Sequence, residues 1–236
     1  MILILSGEGG TDLGGSSDFG DRVGPMAHLV DQMIEDQIDY SPISCEMVRW
    51  VSRSELSAEA KKSKFPRTAL PGVRRPPGYV GHYKQAYALG RMAKNIESTE
   101  DVPSVSVMFR DSDGTNSTGA GHWRALTAAI AEGYAAAGYV SGVAMIPKPK
   151  QESWLLCALK NEPYIGCQLL EDESGNDSSP HSLKDKLCEA IGNHPSVEEM
   201  SEWIKTRRFD STKIEMESFS HFRANLMAAL DAVVQR

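Results

Sequence analysis

Apolar positions change their period several times along the chain, and each change predicts an element. Ile2 to Ser6 is a compact apolar run almost at the terminus, which predicts a short central strand. Residues 13–24 mix glycine, serine and aspartate without an apolar period and are expected to form an extended loop. Pro25 then suits the first position of a helix, and Met26, Leu29, Val30, Met33 and Ile34 repeat at helical spacing to about Gln37. Ile43 to Val51, with Met47, Val48 and Trp50, is a second strand candidate. Ser104 to Phe109 alternates and is rich in β-branched and large apolar residues, and Gly142 to Ile146 is another apolar run, so both read as buried strands. Helical stretches are expected at Tyr79 to Ile96, at His122 to about Ala137 with Gly138 closing it, and from Glu152 onward. Leu183 to Ile191, Val197 to Thr206 and Phe219 to Val234 complete a helical end. Residues 171–181, acidic and rich in serine and glycine, predict a surface loop or disorder. Strands alternating with helices make an α/β architecture with a mostly parallel sheet flanked by helices.

Composition narrows the function classes. With 236 residues, 41% of them hydrophobic, the chain can bury a full core, as one large domain or a domain with a helical extension. A formal net charge of −7 argues against a generally basic nucleic-acid binder but leaves room for a local basic groove. Such a groove has a candidate. Lys61, Lys62, Lys64, Arg67, Arg74, Arg75, Lys84, Arg91 and Lys94 fall in a stretch from Ala60 to Ile96 without one Asp or Glu, around a Pro- and Gly-rich exposed loop. A segregated positive run of this kind tracks a phosphate backbone; the plainer alternative is a solvated face. Cys45, Cys157, Cys167 and Cys188 form no C-x-x-C pair and read as buried or free thiols in a reducing compartment. The opening Met-Ile-Leu-Ile-Leu is too short for a signal sequence or a membrane span, so a soluble, cytoplasmic protein is expected.

The chemistry gathers where strands end. The first strand runs into Gly7-Glu8-Gly9-Gly10-Thr11-Asp12, which has neither G-x-G-x-x-G in register nor G-K-[ST]. Ser104 to Phe109 runs into Asp111-Ser112-Asp113-Gly114, and Gly142 to Ile146 into Pro147-Lys148-Pro149-Lys150-Gln151-Glu152. Parallel strands joined by helices bring such ends to one edge. Acids there repel unless a cation sits between them, and Mg²⁺ prefers oxygen ligands. The plainer readings are an Asx-type turn at Asp111 to Gly114 and helix-dipole complementation by Glu152.

The strand ending in Glu8-Gly9-Gly10-Thr11-Asp12 and the later one ending in Asp111-Ser112-Asp113-Gly114 resemble the two motifs of the Toprim domain, shared by topoisomerases, bacterial primases and overcoming-lysogenization-defect (OLD) class nucleases. The segment Ile146-Pro147 to Glu152-Ser153-Trp154 is similar to one in small standalone Toprim-like proteins of phage-defence loci. The resemblance implies a Toprim-like, Rossmann-like α/β catalytic domain over residues 1–160, with a basic insertion at about 61–80 and a helical extension over 161–236. It implies a Mg²⁺- or Mn²⁺-dependent nuclease in which Glu8, Asp111 and Asp113 hold metal, with Asp12 and Glu152 available to a second ion. On this reading Lys148 or Lys150 would contact the phosphate or leaving group, a plain surface lysine being the alternative for each, and the acid-free run, through Lys61, Lys62, Lys64, Arg67, Arg74, Arg75 and Lys84, would bind nucleic acid, DNA ahead of RNA. Without an ATPase motif, the chain is expected to work with a separate SMC- or ABC-type ATPase, and oligomeric state stays open. Two departures stand out: the loop at 13–24 is longer than expected, and the basic insertion has no counterpart.

Asp111-Ser112-Asp113-Gly114-Thr115 also matches the D-x-D-G-T motif of haloacid-dehalogenase-like phosphatases, where Asp111 would be nucleophile and Asp113 acid/base. That family begins its fold with the motif, whereas two strand candidates precede it here. An EF-hand fails because Gly114 is fourth in its loop, not sixth, and His122 holds the twelfth position. A third class is a non-catalytic Toprim-like partner subunit.

Overall fold

The computed structural model describes residues 1–7, 11–17, 20–65, 78–112 and 121–235. In chain order they form β1 (Ile2–Ser6), β2 (Gly14–Ser17), β3 (Gly20–Val23), α1 (Pro25–Ile38), β4 (Val48–Trp50), α2 (Arg53–Lys62), α3 (Tyr79–Glu100), β5 (Ser104–Phe109), α4 (Gly121–Ala136), β6 (Gly142–Met145) and α5 (Gln151–Leu159). A 3₁₀ turn (Cys167–Asp172) follows, then α6 (Leu183–Ile191), α7 (Val197–Lys205) and α8 (Glu217–Val234). Four strands pair in parallel in the order β4-β1-β5-β6, with Leu3 opposite Val48 and Val105, and Val107 opposite Val143. The chain is thus α/β, with a parallel sheet, flanking helices and a helical C-terminal part, as the strand–helix alternation predicts.

Every residue of β1 and β5 is buried, because helices cover both faces. Leu3, Leu5, Val105, Val107, Phe109, Val143 and Met145 point to a layer holding α1, α5, α6, α7 and α8. Ile2, Ile4, Met108 and Ala144 point the other way, against residues of α2, α3 and α4. Residues one apart on a strand therefore serve different layers, the period of two that a pleated strand imposes. On the α4 side the polar Ser104 and Ser106 are buried too, and Tyr139 and Tyr134 meet their hydroxyls at 2.8 and 3.0 Å. The C-terminal helices share the same core as the sheet: Trp154 of α5, fully buried, packs on Phe219 and Phe222 of α8 and donates to Ser218 Oγ at 2.9 Å.

Several expectations need correction. Within 13–24, where a loop is expected, β2 and β3 pair antiparallel. Two glycines, Gly14 within this pair and Gly24 just after it, are sterically required. A Cβ on Gly14, at φ +100°, would lie 1.9 Å from Arg22 O, and one on Gly24 would lie 2.4 Å from Asp12 O. The strand expected over Ile43 to Val51 shrinks to Val48–Trp50, because buried Asp31 ties the preceding segment into turns by accepting from Ile43 N and Ser41 Oγ, both at 2.8 Å. Helix α2, closed at its start by a Ser52–Glu55 capping box, is invisible in the apolar pattern, since Leu56 is its one buried residue. The acidic stretch at 171–181 starts inside the 3₁₀ turn, where Glu171 is buried. Nor do all four cysteines remain thiols: Cys157 of α5 bonds Cys167, ten residues on, while Cys45 and Cys188 are free. Two cysteines spaced this closely across a helix end and the following turn can meet, which the C-x-x-C pattern does not capture. Among the described residues no helix is long and apolar enough to cross a membrane.

Candidate active site at the strand ends

The strand order decides where a ligand would bind. From β1 the chain passes to β4 on one side, then returns past β1 to β5 on the other. Helix α1 lies in one layer, and α3 and α4 in the other. Where successive connections leave in opposite directions, an open parallel sheet has a crevice beyond the carboxyl ends of its strands. Here the reversal falls between β1 and β5.

Asp111 stands two residues past β5. Its neighbour Ser112 fastens the end of β5 to the segment after β6: the Ser112 amide donates to Pro149 O at 3.1 Å, and its hydroxyl lies 2.9 Å from Pro147 O and 3.1 Å from Pro149 O. The Lys148–Pro149 peptide bond is cis. Ser153 Oγ turns back to Lys148 O and Lys150 O at 2.9 and 2.7 Å, shaping the entry to α5. Gln151, the first residue of α5, donates Nε2 to Asp12 Oδ1 at 2.5 Å. The Asp12 carbonyl accepts from Met26 N at 2.9 Å, so Asp12 is held between the starts of α1 and α5.

Electrostatics at this edge are uneven. Burial, and then the Asp12 and Asp177 carboxylates, push the Glu152 carboxyl above its usual range, against the opposing pull of its own backbone hydrogen bond and of Lys150. Lys150 is itself buried, with its ammonium 2.7 Å from Asp177, and Lys148 lies 3.5 Å from Asp172. Among the described residues, carboxylates thus outnumber cations around Glu152.

Asp12, Asp111, Lys148 and Glu152, drawn from distant parts of the sequence, share one sheet edge. Glu8 and Asp113 lie outside the described residues, as do Arg67, Arg74 and Arg75. Among the described residues, no three His, Cys, Asp or Glu side chains form a metal-holding group. The acids present nevertheless suit a hard cation, being oxygen donors whose mutual repulsion a cation relieves. The remaining basic candidates sit elsewhere. Lys61 and Lys62 end α2, Lys64 follows it and Lys84 is on α3, all exposed and in the layer opposite α5. Lys84 Nζ lies 5.2 Å over the Phe65 ring, and α2 also carries Glu55 and Glu59, so its positive charge is not unmixed.

Three residues of this edge escape a reading of the sequence. Ser112 sits between two aspartates that draw the attention, and Gln151 meets Asp12 across 139 positions. Arg110, just before Asp111, is 1% exposed, with Nη1 donating to Phe109 O at 2.6 Å and Nη2 to Gln85 Oε1 at 3.3 Å. An arginine directly after six buried strand residues is the one signal the sequence offers for it. Compared with protein-family models, with curated proteins and with solved structures, the chain finds no match.

Proposed function

We propose that this chain is a Mg²⁺- or Mn²⁺-dependent nuclease of Toprim type, acting on nucleic-acid phosphodiesters. The supporting observation is that Asp12 meets Gln151 and Glu152 at the edge where the strand order reverses, with Lys148 and Lys150 in the segment that Ser112 ties to the end of β5, next to Asp111. Glu8, Asp111 and Asp113 are the residues assigned to hold the cation, with Asp12 and Glu152 serving a second ion. A divalent cation bound there supplies an activated water and offsets charge on the scissile phosphate. Lys148 and Lys150, each now opposite an aspartate, offer ammonium groups to the phosphate oxygens. The Ser112 and Ser153 hydrogen bonds fix the backbone that carries both lysines, which limits reorganisation when substrate arrives. A role in phage defence beside a separate ATPase rests on the motif resemblance alone.

The test is cleavage of single- and double-stranded DNA and RNA with Mg²⁺ or Mn²⁺, beside hydrolysis of a small phosphomonoester. Asp113→Ala and Glu8→Gln should each abolish cleavage, and EDTA should do the same. Phosphomonoester turnover that survives Glu8→Gln would instead assign Asp111 as the nucleophile of a haloacid-dehalogenase-like phosphatase. Cleavage that persists in Asp113→Ala would remove this edge from consideration.

A further inference from the structure

Gln151 is 6% exposed, and the two ends of its carboxamide fare differently. Nε2 donates to Asp12 Oδ1 at 2.5 Å. That contact fixes the orientation of the amide, because the flipped form would set two acceptor oxygens against each other. Oε1 is then left buried with no hydrogen-bond partner among the described residues. Leaving a buried carbonyl oxygen unmet is costly, and native proteins seldom leave one without a reason.

The described surroundings do not supply the missing donor. Asp12 already accepts from the same amide, and Glu152, the next residue, interacts with Asp12 across the site. Oε1 thus remains a buried acceptor without a donor, on a side chain whose other end already holds Asp12. Hard divalent cations take Gln carbonyl oxygens together with carboxylates. Two carboxylates match the charge of such an ion, and a neutral third oxygen adds coordination without adding repulsion. We infer that Gln151 belongs to the second-ion site, with Oε1 a neutral ligand beside Asp12 and Glu152, and Nε2 holding Asp12 in place. This inference rests on the cation-dependent reading above and adds to it a residue that the strand-end motifs do not contain.

The test is Mn²⁺ and Mg²⁺ binding to the full chain, read by calorimetric titration and by the metal-induced rise in melting temperature. Wild type should bind, and Gln151→Leu should weaken Mn²⁺ binding by about tenfold or more, the usual consequence of losing a group that supports a metal site. Gln151→Leu should also lose the part of the melting shift due to the second ion, while its metal-free circular dichroism stays native. Gln151→Glu keeps an oxygen at this position but cannot donate to Asp12. It should bind Mn²⁺ clearly better than Gln151→Leu, and it carries the test if the leucine variant does not fold. If wild type and Gln151→Leu bind alike, the buried oxygen meets only water and the inference fails while the cation reading stands. If the leucine and glutamate variants are equally weak, Gln151 acts only by holding Asp12, and its role as a ligand is overturned. If wild type shows no cation binding, both readings fall together.

Discussion

His28 lies half-buried on α1, and burial first, then the Lys205 ammonium of α7, lower its imidazole from the ordinary 6.5 to about 4. The folded protein therefore resists a proton that the unfolded chain accepts. The stability held above pH 6.5 should be lost as pH falls toward 4, because the unfolded state binds more protons throughout that window. Melting temperature measured across this range should fall more steeply in wild type than in His28→Gln; parallel curves would show that His28 does not contribute. Legibility at this scale follows from what a residue needs in order to be recognised. Asp12, Asp111 and Glu152 can be picked out because an acid at a strand end is informative by itself. The protonation state of His28, the burial of Arg110 and the contact of Gln151 with Asp12 depend on partners far along the chain, which no local pattern carries.

Among elements, α8 shows how a short segment can position a long one. Glu171, from the 3₁₀ turn, is buried with its two oxygens accepting from Ser218 N at 2.7 Å and Glu217 N at 3.1 Å, the first amides of α8. Helix starts carry unpaired amides and a partial positive charge, so this carboxylate meets both demands. Glu171→Ala strands these amides and should cost about 1–3 kcal/mol in urea unfolding. Glu171→Gln retains one acceptor oxygen and should lose less; equal losses would mean that packing of the side chain, rather than the hydrogen bonds, matters. The turn is further held by the Cys157–Cys167 bond and by the Glu173–Lys186 pair at 2.5 Å. Elements with a buried stripe on a sustained period, α1, α3 and the strands β1, β5 and β6, can be read from the sequence. The hairpin β2–β3 cannot, since its strands are largely glycine and serine and their pairing follows from backbone sterics at Gly14 and Gly24. Helix α2 escapes for a related reason: a helix with one buried residue leaves no stripe.

For the whole molecule, the open question is how a chain of net charge −7 would hold a polyanion. Long-range repulsion disfavours the approach, so binding must come from a local concentration of cations. The acid-free run supplies one, with Lys61, Lys62 and Lys64 exposed at the end of α2 and Arg74 and Arg75 further along the sequence. Glu55 and Glu59 on the same helix weaken that concentration at its start. Arg74 and Arg75, with no acid nearby in sequence, should therefore matter more than Lys61 and Lys62. Reversing Arg74 and Arg75 to Glu should weaken binding to duplex DNA and reduce the log–log salt slope by about one unit for every phosphate that is no longer neutralised. Reversing Lys61 and Lys62 should produce a smaller change. Lys184, exposed on α6 in the opposite layer, serves as the control and should leave the slope unaltered. The measurement is affinity against salt concentration for the four proteins. An unchanged slope in the Arg74 and Arg75 variant would assign the run to solvent or a protein partner. A slope that falls equally in all three variants would mean that the overall charge, and not this run, governs the approach of nucleic acid.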